Sequence, residues 1–320
     1  MNNQPYVSIV MTSYNRERYI SQAIDSILSQ EVNFQYEIII GDDFSTDNSR
    51  MILENYHTKY PNIFVLNLQM SNQGFGTNWA TTLQLARGKY VAFLDDDDYY
   101  CDKCRLQEMV DYMDEHSPCG LLHTNYYRLY NETGEMVPNN ARDASNEDAM
   151  LGLYHGTYPL CFGTCMIRNS LIKQYVNLED YIRLKFTIQD WPTCILLADY
   201  TEFHYMNKLS YVYRKYEGSM SAPKTYDAII KKYSQEERMY EYICSKFPHK
   251  LHYDANEWKQ YMHHLLLSLA YRKKDFLSAK KYAQLSGATS VKARCAQNRV
   301  SFYLFIMLRQ LRDWFKSSRS

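Results

Sequence analysis

The stretch GKYVAFLDDDD, Gly88 to Asp98, decides the fold. Its apolar run, Tyr90 to Leu94, is continuous rather than alternating, as in a strand covered on both faces. It stops in four consecutive aspartates. Working outward, Tyr6–Thr12 (YVSIVMT) and Tyr36–Ile40 (YEIII) repeat the same design. Each ends in a polar cluster, Thr12-Ser13-Tyr14-Asn15 in one case and Asp42-Asp43 in the other. Ile63–Leu68 reads as a further strand. Between the strands lie helical patterns. Ile20, Ala23, Ile24, Ile27 and Leu28 recur at helical spacing. Ser45 is placed to cap a helix running to about His57. Asn78–Ala86 reads as a helix closed by Gly88 as its C-cap, and Arg105–His116 as another. Strands alternating with helices predict an α/β fold with a mostly parallel central sheet flanked by helices.

The rhythm changes beyond Leu121. Leu122–Tyr130 reads as a strand, and Asn131–Glu147, polar and turn-rich, as a mobile loop over a site. A short strand, Gly163–Ile167, precedes a helix. Asp190–Ala198 is helical, with Trp191-Pro192 in the first turn, where proline is tolerated. Glu202–Met206 and Leu209–Arg214 read as a strand pair. From about Thr225 the chain is helical with a break at Gly287. The expected division is a domain over 1–222 and a helical extension over 223–320.

Composition narrows the function. Of 320 residues, 36 are Lys or Arg and 36 Asp or Glu, so no whole-protein basic field exists to attract nucleic acid. Only 11 glycines and 8 prolines favour long regular elements over loops. The 31 tyrosines supply flat amphipathic surface that suits sugars and interfaces. Cys101-x-x-Cys104 lacks the second pair that a zinc ribbon needs. With no signal pattern and no apolar run of bilayer length, the expectation is a cytoplasmic chain with reduced thiols. The segment 292–320 holds seven basic residues and one acid, Asp313, among aliphatic and aromatic residues. It reads either as a terminal helix packed on its neighbours or as a basic amphipathic helix lying peripherally on an anionic membrane.

Open sheets bind ligands at the carboxyl ends of their strands, where all three polar clusters fall. Four adjacent aspartates cannot all ionise cheaply. A hard divalent cation would relieve them and neutralise charge on a departing diphosphate. Neither GxGxxG nor GxxxxGK[ST] is present, so phosphates are not held by a glycine loop. A nucleotide-sugar enzyme fits best. A nucleotidyltransferase is a weaker match, because the first strand lacks its basic glycine-rich loop. A non-catalytic nucleotide- or glycan-binding subunit remains a third reading.

The segments VSIVMTSYN, EIIIGDDFSTDNS, NQGFGTNWA, GKYVAFLDDDD, QDW and YRKYEGSMS, in that order over roughly residues 5–222, resemble the family 2 glycosyltransferases of GT-A fold, of the bacterial surface-polysaccharide kind. The resemblance implies an inverting transfer from a nucleoside diphosphate sugar, often UDP-linked, with Mn²⁺ or Mg²⁺, to a glycan or lipid-linked acceptor. It implies that Thr12 and Tyr14 line the base pocket, that Asn15 is donor-binding beside them and that Asp43 accepts from the base. It puts Asp95 and Asp96 near the ribose and pyrophosphate, and makes Asp97 the principal metal ligand. Asp190 takes the place of the general base, with Gln189 where the family often has an acid. Arg214 would lend charge to phosphate. Tyr216 stands where histidine is frequent, and no QxxRW follows, unlike the processive membrane polymerases. A homo-oligomer is compatible with all of this.

Overall fold

A computed structural model describes residues 4–140, 149–154, 158–216, 225–287 and 290–317, with side chains described through Arg309. The chain divides into two compact units, Met1–Ser219 and Met220–Ser320.

The first unit opens with strand β1 (Val7–Ser13), helix α1 (Ile20–Leu28), β2 (Tyr36–Asp42), α2 (Ser49–Lys59), β3 (Phe64–Leu68), α3 (Phe75–Leu83) and β4 (Tyr90–Phe93). There follow β5 (Tyr99–Tyr100), α4 (Arg105–Glu115), β6 (Cys119–Tyr130), β7 (Glu135–Pro138) and α5 (Ala149–Tyr154). A 3₁₀ turn at Phe162–Thr164 leads into β8 (Cys165–Arg168), α6 (Asn169–Tyr175), α7 (Leu178–Arg183), α8 (Asp190–Leu197) and β9 (Glu202–Lys215). The strands form one nine-stranded sheet in the order β3-β2-β1-β4-β8-β6-β9-β5, with β7 paired to β6. The β3-β2-β1-β4 half is parallel. In the other half β8 runs against both β4 and β6, while β9 runs parallel to β6. The apolar runs predicted from sequence are the core: Ile9, Ile38, Ile40, Tyr90 and Ala92 have no exposed surface and pack with Ile20, Ile24 and Ile27 of α1.

Several local readings need correction. Ser45 does not cap α2, which starts at Ser49. Its hydroxyl instead accepts the Asn15 amide at 2.9 Å, joining two loops at the sheet's carboxyl edge. The third helix begins three residues earlier than its apolar spacing suggests, at Phe75, and ends at Leu83. Gly88 is therefore no C-cap. A Cβ there would lie 2.6 Å from the Ser8 amide, so it is the absence of a side chain that lets the lead into β4 approach β1. Part of the expected mobile loop is a hairpin: Glu135–Pro138 pairs with Tyr127–Tyr130 of β6. Residues 141–148 of that loop lie outside the described residues. The expected strand pair is one strand, β9, since Asn207-Lys208 is taken up as a register shift against β6 rather than a turn. Lys208 there pairs with Asp102 at 2.6 Å and with Glu108.

The second unit holds α9 (Tyr226–Lys246), α10 (Ala255–Arg272), α11 (Phe276–Leu285), α12 (Val291–Cys295) and α13 (Arg299–Ser317). Thr225, Asp254, Asp275 and Ser290 each accept a first-turn amide as N-caps. Leu266, Leu267, Ala270, Ala279 and Phe302 form its own core. Gly287, at φ 59°, breaks the chain after α11. Among the described residues no helix is long and apolar enough to cross a membrane.

Candidate active site

The parallel half of the sheet brings the three polar clusters together. Thr12 is in register with Gly41 and Ser13 with Asp42. The Asp43 amide donates to the Ser13 carbonyl at 2.9 Å, and the Leu94 amide to the Val10 carbonyl at 3.3 Å. The ends of β2, β1 and β4 therefore form one edge, from which Thr12 to Asn15, Asp43 and Asp95 to Asp98 emerge side by side.

The four aspartates do four different things. Asp98 is buried and bonded on both oxygens: it accepts the Arg214 amide at 2.7 Å and the Tyr211 hydroxyl at 2.6 Å. Burial, then the charges of Asp95 and Asp97, push its pKa well up. Asp96 accepts the Tyr14 amide at 3.3 Å and faces the Arg16 guanidinium at 3.3 Å. Asp97, partly exposed, accepts the Tyr216 hydroxyl at 2.7 Å, and Arg16 lies 3.6 Å from it. Asp95 is pushed up to about 7 by burial, then by the negative charges of Asp97 and Asp190. Asp190 is the first residue of α8, and its carboxylate accepts the Trp191 amide at 2.8 Å. The Trp191 indole donates to the Leu153 carbonyl at 3.0 Å, which ties the start of α8 to α5.

Asp43 lies at the other wall. Its oxygens accept the amides of Gln73 at 2.7 Å and Gly74 at 3.0 Å, where α3 begins. Burial raises its pKa against those two donors. Asn15 adopts a left-handed backbone, φ 55°, which asparagine tolerates, and its side-chain oxygen accepts the Thr46 amide at 2.8 Å. It ties the β1 loop to the β2 loop. Thr12 is half-buried and Tyr14 is 43% exposed.

Arg214 is turned inward. Its guanidinium donates to the Asp97 carbonyl at 2.8 Å, to Asn131 at 3.0 Å and to Gln22 at 2.7 Å, and it lies over the Tyr19 ring at 4.7 Å. It is 7% exposed, so it shapes the acidic run from behind. Among the described residues the cation that faces the carboxylates of the run is Arg16, just after the Thr12–Asn15 cluster. Burial works against its charge, but Asp96 and Asp97 outweigh that and hold its pKa above the ordinary value. A basic residue directly after the first strand, facing an acidic run after the fourth, was the signal available.

The model of glycosyl transferase family 2 matches residues 8–176, which contain this edge. The chain belongs to glycosyl transferase family 2. Within it, an uncharacterized protein of Mycobacterium tuberculosis is 41% identical over 110 residues, 34% of this chain and 32% of that protein. A poly(ribitol-phosphate) β-glucosyltransferase of Bacillus spizizenii is 40% identical over 102 residues, 32% of this chain and 16% of that enzyme. The chain thus spans a third or less of the length of these two relatives. The crystal structure of Staphylococcus aureus TarS residues 1–349 with UDP-GlcNAc superposes with TM-score 0.54 at 18% identity, covering 94% of this chain and 88% of that one. That likeness extends the shared fold beyond the segment the family model matches.

The donors at the edge also fit a cation. All are oxygens, the ligands hard divalent ions prefer. Among the described residues no three His, Cys, Asp or Glu side chains converge to enclose an ion. Mg²⁺ in particular is commonly held by one or two carboxylates together with substrate phosphates and water. Asp97, partly exposed, with Asp95 beside it, meets that requirement.

Proposed function

We propose that this chain moves a sugar from a UDP-linked donor to a hydroxyl of a glycan or lipid-linked acceptor of the bacterial surface, with inversion at the anomeric carbon. The observation that carries the reading is the convergence of the ends of β1, β2 and β4, which brings Thr12–Asn15, Asp43 and the Asp95–Asp98 run to one edge of the sheet, with the Asp190 charge felt by Asp95. In this reading Asp190 is the base and the aspartate run faces the diphosphate, the two groups an in-line displacement needs. The name of the poly(ribitol-phosphate) β-glucosyltransferase supports a β product, which an α-linked donor yields by inversion. The UDP-GlcNAc in the structural neighbour supports a uridine donor.

In this reading Tyr14 stacks on the base, and Asp43 accepts from it with the lone pairs its two amide donors leave open. Thr12 and Asn15 shape the pocket around them. Asp95 and Asp96 face ribose and pyrophosphate. Arg16 places a positive charge beside the diphosphate as it departs. The acceptor oxygen forms the new bond to the anomeric carbon as the bond from that carbon to the phosphate oxygen breaks. UDP leaves with the electron pair, and the acceptor proton passes to Asp190. Mn²⁺ or Mg²⁺ held at Asp97 would supply further charge neutralisation to the leaving diphosphate.

The test is Asp190→Asn. UDP release from UDP-GlcNAc and UDP-glucose should fall by about a hundredfold or more, the usual share of a general base. Calorimetric UDP affinity should stay within about twofold, because the substitution is far smaller than the binding surface. Unchanged release would remove Asp190 from the mechanism. Binding of GDP, CDP or ADP in place of UDP would overturn the base assignment and leave the fold intact.

A further inference from the structure

Helix α13 has two apolar faces, and the second unit uses only one. Phe302 is fully buried, 4.5 Å from the Tyr271 ring and 5.6 Å from Phe276, with Phe305 5.2 Å from Tyr271. Those contacts, with Ile306, fasten the helix to α10 and α11. A second stripe points outward: Val300 is 76% exposed, Leu304 48%, Met307 49% and Leu308 56%. Their spacing of four, three and one residues sets them on one helix face about 100° wide. Among the described residues these four side chains are outside the core of the unit.

The surroundings are cationic. From Val291 to Arg309 there is no acidic residue, while Lys292, Arg294, Arg299 and Arg309 are present. Arg272, Lys273 and Lys274 stand exposed where α10 ends. The Lys292 ammonium is held below its ordinary value, first by burial and then by the like charges of Arg309 and Arg272. Its hydrogen bond goes to the Ser268 hydroxyl at 2.8 Å. Lys292, Arg309 and Arg272 thus stand close enough to oppose one another, with Asp275 the nearest acid in the chain to Arg272 and Lys292.

We propose that the Val300–Leu308 face of α13 is a docking surface for an anionic lipid bilayer. The apolar stripe enters the acyl boundary and the basic residues contact acidic headgroups. A stripe on a single helix, with cations around it, is the form of an in-plane membrane helix. Anionic lipid is the partner whose charge complements that crowding. Such docking would hold the enzyme where lipid-linked acceptors reside, but it does not depend on the transferase reading.

The experiment is vesicle flotation of the full chain without nucleotide, so its outcome is independent of catalysis. The probes are vesicles of phosphatidylcholine alone, or with about a third phosphatidylglycerol. The chain should float with the anionic vesicles and at least about tenfold less with the neutral ones. Raising salt from about 0.05 to 0.5 M should weaken binding. Leu304→Ser/Met307→Ser/Leu308→Ser should lower anionic-vesicle binding by about tenfold or more with an unchanged melting temperature, since these side chains are exposed. Lys273→Gln/Lys274→Gln, beside Tyr303 whose hydroxyl donates to the Lys274 carbonyl at 3.3 Å, should weaken it while leaving the stripe intact. Equal binding to both vesicle types, or full binding by the triple variant, overturns the proposal. So does a chain that fails to float but forms a dimer in sedimentation velocity that the triple variant abolishes, for then a second copy covers the face.

Discussion

Asp97 and Asp98 are neighbours in one acidic run, and their alanine variants should fail in opposite ways. In Asp98→Ala the Arg214 amide loses its acceptor at 2.7 Å and the Tyr211 hydroxyl its acceptor at 2.6 Å, at a residue 1% exposed. Tyr211 retains a long contact to Asp95 at 3.4 Å, so one buried donor is fully orphaned and one is weakened. An orphaned buried donor costs about 1–3 kcal/mol, and the small cavity adds about 1 kcal/mol. Relief of repulsion from Asp95 and Asp97 offsets part of this. The net is about 2–3 kcal/mol, or roughly 5–10 °C in the melting of a unit of this size. In Asp97→Ala, a partly exposed carboxylate loses one phenol donor and a long ion pair to Arg16 that keeps its Asp96 partner, and relief of repulsion in the run offsets part of this, so the cost is under about 1 kcal/mol. That variant should melt within about 3 °C of the parent yet lose Mn²⁺-supported UDP binding. Scanning calorimetry and UDP titration with Mn²⁺ or EDTA read the two effects separately. The assignment of roles within the run is refuted if Asp98→Ala melts with the parent, or if Asp97→Ala is the less stable of the pair.

Other substitutions probe the same edge and the helical unit. Gly41→Ala puts a Cβ 1.9 Å from the Thr82 hydroxyl and 2.6 Å from the Asn78 oxygen, so it should cost about 1–3 kcal/mol by overpacking. Adding Thr82→Ala should recover part of that loss in a melting assay, and no recovery would show that the clash is not the cause. Tyr216→Phe removes the hydroxyl that donates to Asp97 at 2.7 Å. Freed of about 1 kcal/mol of competition, Asp97 should support several-fold tighter Mn²⁺-dependent UDP binding by calorimetry, whereas weaker binding would make the phenol part of the donor site. In the second unit, Asp275 has a lowered pKa, chiefly through hydrogen bonding from Ser278, partly opposed by burial. A lowered carboxylate adds stability above its unfolded value near 3.9 and loses it as pH falls through the folded value. Asp275→Ala should therefore cost about 1 kcal/mol at neutral pH, with the gap to the parent narrowing below about pH 4 in urea melts.

The parallel half of the fold was legible because its signals are local. Continuous apolar runs at Val7, Tyr36 and Tyr90 needed only a period and a stop, and the stops were the site. The second half was harder. Strand β9 hides behind Asn207-Lys208, which read as a turn and became a register shift because Asp102 and Glu108 hold the lysine. The hairpin at Glu135 is short and exposed, so it carries no apolar period. Ser45 and Gly88 were read for their caps, but their partners are Asn15 and Ser8, 30 and 80 residues away in the chain.

The same boundary divides the site. Sequence alone determined which residue types gather at the carboxyl edge: a tyrosine and an asparagine after the first strand, and aspartates after the second and fourth. Only the tertiary structure decided what each one does. It turned Arg214 inward and Arg16 toward the acids, gave Asp98 to Tyr211 and Asp97 to Tyr216, and left the Val300–Leu308 stripe of α13 uncovered. The physical reason is range. Periodicity and turn chemistry act over a few residues, whereas a carboxylate's partner and its pKa depend on burial and on charges that arrive from strands and helices distant in the chain.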